Sequence, residues 1–178
     1  LYKTSPIELN ITSVVDITPK NNSDNLANND IYLVAEISDF NPYINQAITI
    51  VYKLYYSPEI RISNVNEIDS PKYPDFWSHL IKIPRLEVKQ GSYKGNLYQY
   101  VTWHKAVLYP QKSGSLTIDP LSLNISLDIP TNRRDFFGNR IYEQIPKVIS
   151  AGKKNILVKE LPEEGKPKSF NGAVGKFD

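Results

Sequence analysis

Cysteine and methionine are both missing from this chain of 178 residues. Without cysteine there is no disulfide frame, no thiol nucleophile and no cysteine-based metal site. Such a composition suits an exported protein that avoids stray oxidation, and it suits a cytosolic one equally. Without methionine there is no natural start residue, so Leu1 is expected to lie inside a longer protein. No signal peptide is visible, and no apolar run reaches the ~18–20 residues that a membrane-spanning helix needs. A net charge of +2 is too small to point to nucleic acid. The basic surplus lies late: residues 131–178 hold ten Lys/Arg against six Asp/Glu, the make-up of a solvated tail.

What is present favours sheet. Aromatic content is mostly tyrosine, with 12 Tyr against 6 Phe and 2 Trp. Tyr, Thr, Ile and Val fit a pleated, half-buried surface, whereas 13 prolines sit badly with long helices. Ile7, Leu9 and Ile11 alternate with polar residues, the period of a half-buried strand. Residues 19–29 are polar and read as a linker. From Asp30 onward the alternation becomes regular. Ile31, Leu33, Ala35 and Ile37 form one row, and Ile48, Ile50, Tyr52 and Leu54 the next. Residues 61–68 make a weaker strand, Leu86 and Val88 mark another, and residues 97–109 a long one that Pro110 stops. Gly91-Ser92 and Lys94-Gly95-Asn96 have turn chemistry, and Ser113-Gly114 reads as a tight hairpin. Pro120 is expected at a bulge or edge. Leu121, Leu123, Ile125, Leu127 and Ile129 then give the clearest amphipathic strand, and Ile156 and Val158 the last. No segment keeps a helical period. The expected fold is all-β: an immunoglobulin-like β-sandwich over residues 30–160, with an appended N-terminal strand and a C-terminal tail.

Four stretches carry a more specific signal. The first is Asp30-Ile31-Tyr32-Leu33-Val34-Ala35-Glu36, followed by Asn41-Pro42-Tyr43 and by Thr49-Ile50-Val51-Tyr52-Lys53-Leu54-Tyr55. The second is Tyr109-Pro110-Gln111-Lys112-Ser113-Gly114 with Leu116-Thr117-Ile118-Asp119-Pro120. The third is Arg133-Arg134-Asp135-Phe136-Phe137-Gly138. The fourth is Leu161-Pro162-Glu163-Glu164-Gly165-Lys166-Pro167 running into Phe170-Asn171-Gly172-Ala173-Val174-Gly175. In order and spacing they resemble the BatD family of the aerotolerance (Bat) operons, over nearly the whole chain. The resemblance implies an exported, periplasmic protein of tandem β-rich domains, anchored to the inner membrane by segments outside this sequence. Its implied partners are other Bat-system proteins, which carry von Willebrand A-domains, and neighbouring domains of the same chain. In these terms residues 1–18 close a preceding domain, and residues 161–178 form a linker and the opening strand of the next. The resemblance supplies no catalytic residues.

Nothing in the sequence asks for a cofactor or a metal. His79 and His104 lack ligand spacing, and Gly91-Ser92-Tyr93-Lys94-Gly95 is not a nucleophile elbow. Gly165-Lys166 lacks the rest of a phosphate loop, and no calcium-loop pattern occurs. Glu59, Glu67, Asp69 and Asp75 could supply a carboxylate pair, but charged loop residues are usually solvated. The expectation is therefore a non-enzymatic scaffold or partner-binding module. The alternative is a carbohydrate-binding module of the cell envelope, with Tyr73, Phe76 and Trp77 (and Trp103) as a stacking platform. Those same aromatics could equally anchor the core. Residues 131–149 read as a long interruption between two strands. Arg133, Arg134, Phe136 and Phe137 within it are either a partner-binding surface or part of a hairpin whose phenylalanines fold back on the sandwich.

Overall fold

The structure is a computed structural model that describes residues 31–170, 172, 174 and 175. The expected strand at residues 1–18, the linker at 19–29 and most of the opening strand after Phe170 lie outside the described residues. Ten strands carry the fold, and no helix occurs among the described residues. They are β1 (Ile31–Ile37), β2 (Ile48–Tyr56), β3 (Arg61–Asp69), β4 (Phe76–Leu80) and β5 (Lys89–Tyr93), then β6 (Asn96–Pro110), β7 (Gly114–Ile118), β8 (Ser122–Arg134), β9 (Arg140–Ser150) and β10 (Lys154–Val158).

All the strand pairs are antiparallel. One five-stranded sheet runs β1-β2-β6-β4, with β5 also on β6; a three-stranded sheet runs β3-β8-β9; β7 and β10 form a two-stranded ribbon. No barrel closes. The rows seen in the sequence face inward: Ile31, Leu33 and Ala35 from β1, Ile48 to Leu54 from β2, Leu123 to Leu127 from β8, and Ile156 and Val158 from β10. They belong to one hydrophobic cluster, so the sheets share a single core. A two-residue period presents one apolar face per strand, and burying each Leu or Ile in full is worth about 1.5–3 kcal/mol.

Five local expectations are corrected. Leu86 and Val88 lie outside any strand and are exposed; the strand is β5, which contains Gly91 and Ser92. Its turn is Lys94-Gly95 alone, with φ of 50° and 82°, between the paired Tyr93 and Asn96. Two consecutive residues of positive φ make the turn that matches strand twist. Ser113-Gly114 does not close a hairpin. β6 is already flanked there, with Leu108 opposite both Ile48 and Ser78. The chain therefore leaves that sheet, and Gly114 pairs with Val158 of β10. Pro120 falls between β7 and β8, where the chain changes sheet again, rather than inside a strand. Residues 131–149 are no long loop: β8 runs on to Arg134, β9 begins at Arg140, and only 135–139 connect them.

Candidate interaction surface

The tip of the β8–β9 hairpin is built from short-range chemistry. Gly138 N–H donates to Asp135 O at 3.0 Å, closing a four-residue turn, and Gly138 takes φ 83°. A left-handed glycine after such a turn is the usual three-to-five-residue hairpin solution. Asp135 then organises the tip with its side chain. Its Oδ1 accepts from Phe137 N–H at 2.9 Å and Asn139 N–H at 2.8 Å, and its Oδ2 from Asn139 Nδ2 at 3.0 Å. These bonds, Asn139's first, hold the Asp135 carboxyl below its ordinary range. Arg134 Nη1 donates to Gly138 O at 2.6 Å, and Thr131 Oγ1 donates to Ile141 O at 2.8 Å. The phenylalanines do not fold back: Phe136 is 98% exposed and Phe137 84%, their rings edge to face with centroids 5.6 Å apart. Arg133, Arg134 and Arg140 are exposed beside them.

β3 pairs with β8 only as far as Asp128. From Ile129 outward β9 is the one strand still paired with β8. Ile129 packs against the core, and Arg61 lies over the Tyr142 ring opposite Pro130. The free end of the hairpin, residues 131–141 with a register shift in its β8 side, therefore projects as an arm roughly 10 Å beyond them. Arg134 stands directly opposite Arg140 across it. None of the three arginines is in an ion pair among the described residues.

The structure does not bring Tyr73, Phe76 and Trp77 together as a platform. Phe76 and Trp77 are consecutive on β4 and so point to opposite faces. Phe76 is buried in the core, and the Tyr73 hydroxyl is also buried. Burial pushes the Tyr73 ionisation up to about 12 and that of neighbouring Tyr52 up as well. The two hydroxyls are near enough to act on each other's ionisation, as a weak pair short of full hydrogen-bond geometry, and neither has another partner. Trp77 alone of the three is open, 57% exposed. Its companions are His79, stacked at 6.4 Å, and Tyr109, edge-on at 5.3 Å. Trp103 packs on the core edge and donates from Nε1 to Glu67 Oε2 at 3.0 Å.

Sequence reasoning missed a tyrosine cluster on the outer face of the large sheet. Tyr93 stacks on Tyr55 at 4.9 Å and lies 5.1 Å from Tyr32, and Tyr100 and Tyr98 complete the group. Lys94 Nζ sits 4.5 Å from the Tyr32 ring centre. Glu36 accepts from the Tyr55 hydroxyl at 2.9 Å and pairs with Lys53 at 2.6 Å. Burial first, then the Glu36 carboxylate, raises the Tyr55 ionisation. For Lys53 burial acts downward, but the Glu36 bond and charge outweigh it. A cleft of about 560 Å³ opens between the ends of β2 and β6 and the start of β3, with Leu54, Ile60, Val65, Val101 and Trp103 in its wall.

Of the candidate carboxylates, Glu67 is engaged by Trp103 and the Ser70 hydroxyl, and Asp75 by Lys112 at 2.9 Å. His79 is exposed, while His104 meets Tyr52 edge to face at 6.3 Å. No group of three or more His, Asp or Glu is gathered for a metal among the described residues. No family model matches the chain, and no match is found among curated proteins or solved structures.

Proposed function

We propose that this chain is a non-enzymatic, immunoglobulin-like β-sandwich module of a bacterial envelope protein, a scaffold or partner-binding unit whose contact element is the β8–β9 tip. The observation that carries it is the pair of almost fully exposed phenylalanines on an internally hydrogen-bonded turn. An apolar pair held outward by a satisfied backbone is preorganised for contact, which lowers the cost of ordering on binding. The BatD resemblance supports a periplasmic setting in a membrane-anchored aerotolerance protein. It also supports von Willebrand A-domain proteins, or adjoining domains of the same chain, as partners.

The double substitution Arg134→Ala, Phe137→Ala tests the contact element, read by melting temperature and by recovery of partners from envelope extract. Unchanged melting with partners lost is expected. A collapse in stability, or proteins and membrane of the extract both retained at the wild-type level, overturns the reading.

A second reading, sugar binding, has a specific observation in its favour: Trp77 is open beside Tyr109 and His79. The flat side of a stacked aromatic pair suits a pyranose face. Saturable binding of an envelope polysaccharide, lost on Trp77→Ala, would move the function to that strip.

A further inference from the structure

Resting on the reading of the tip as a contact element, we propose that what it meets is an anionic lipid bilayer. The phenylalanines would enter the headgroup–acyl boundary, and the arginines would bind lipid phosphates. Three independent features favour a bilayer over a protein pocket. The first is area. Two phenylalanine side chains offer about 150–250 Å² each, well short of the ~800 Å² per partner of a stable protein interface. Behind them come Thr131, Asn132 and the arginines, with Pro130, Ile141 and Tyr142 set back toward the body and Arg61 over the Tyr142 ring, so the apolar surface adds little to the two rings. Interfacial lipid binding needs only a few apolar side chains with a cationic rim.

The second is charge. Arg134 and Arg140 face one another across the hairpin, and like charges directly opposite are unfavourable unless an anion lies between them. Arg133 adds a third guanidinium, and no described carboxylate pairs with any of them. The nearest, Asp135, is committed to Phe137 and Asn139, while Glu143 lies farther back on β9 opposite Ile129. Guanidinium forks bind phosphate oxygens in pairs. The third is reach and backbone. The arm projects past β3, so nothing in the described body shields the tip. The bonds to Asp135 and Gly138 satisfy most of the turn's polar backbone, as a water-poor medium requires. The Asp135 carboxylate limits entry to the depth of the two rings.

The test is co-sedimentation of the chain with vesicles of phosphatidylcholine alone and of phosphatidylcholine mixed with phosphatidylglycerol. Binding to the mixed vesicles, weakened by salt and slight on phosphatidylcholine alone, is expected. Arg134→Gln and Arg140→Gln should each weaken it about fivefold, and Phe136→Ala with Phe137→Ala by roughly tenfold or more. Melting temperature should stay unchanged in all three variants. A Phe137→Trp variant should show blue-shifted emission with mixed vesicles only. Absence of wild-type binding to mixed vesicles overturns the lipid assignment, as does binding that survives loss of both phenylalanines. If vesicles fail while a protein is still lost with the tip variant, the contact element stands and its occupant is a protein. If neither depends on the tip, both readings fall.

Discussion

Tyr73 and Gly91 are single residues whose surroundings give them measurable consequences. Burial lifts the Tyr73 ionisation from 10.0 up to about 12, because the charged phenolate is poorly solvated inside the core. A raised acid constant means the folded state holds its proton after the unfolded chain has released it. The associated stability is complete below about pH 10 and is lost as pH rises through 12. Urea midpoints are therefore expected to hold steady to about pH 9 and fall beyond it. Tyr73→Phe, which removes the ionisation and a buried hydroxyl whose one neighbour is Tyr52, should flatten part of that fall, leaving the share due to Tyr52, at little cost at neutral pH. An unaltered alkaline limb in the variant would count against the assignment. Gly91 is a different case. A methyl there would lie 2.9 Å from the Tyr100 ring, which covers the glycine's bare backbone. Gly91→Ala must displace that ring from the tyrosine cluster, at a cost of about 1–3 kcal/mol. Its near-ultraviolet circular dichroism should change in the tyrosine region, together with a lower denaturation midpoint.

At the scale of strands and turns, the hairpin separates two kinds of residue. Phe136 and Phe137 touch little of the protein, so their replacement by alanine should alter stability by less than about 0.5 kcal/mol. Asp135 supplies the bonds that shape the turn. Asp135→Ala should therefore speed amide exchange at Phe137, Gly138 and Asn139, while the core amides of β8 keep their protection. Exchange unchanged at the tip would show that the turn is set by Gly138 alone. The same elements explain what the sequence could reveal. Strands with one dry face, β1, β2 and β8, announce themselves by alternation. β9 does not, because Glu143 and Lys147 interrupt the row of Ile141, Ile145 and Ile149, of which Ile149 alone is buried. Leu86 and Val88 alternate like a strand but stay outside the sheet. The tyrosine cluster draws on β1, β2, β5 and β6, and only the pairing register brings those residues together. Phe76 and Trp77 were grouped by proximity in the chain, and the pleat of β4 separated them.

At the largest scale, one core joins the three sheets of the described residues. Ile125 is fully buried at its centre, so Ile125→Ala should cost about 2–5 kcal/mol. Because the layers share that core, tryptophan fluorescence and far-ultraviolet dichroism should lose their signals together. Separate transitions would mean that the β3-β8-β9 sheet is an independent unit. All-β class and most inward rows were legible from residue types alone. Sheet membership was not, since it is decided by which edges are already occupied when a strand arrives.

The pairing of β3 with β8 has a consequence for how the chain is made. β1 and β2 lie close in sequence and can meet as soon as both have left the ribosome. Arg61 must wait for Asp128, on the order of 70 residues later, which at about 5–20 residues per second is several seconds. During that interval the apolar side of β3, with Ile62 and Val65, has no strand of its own sheet beside it. Unpaired edges of this kind recruit other chains. A nascent chain halted after Pro120 should accordingly be captured by holding chaperones or aggregate, while one released after Glu160, with β8, β9 and β10 complete, should not.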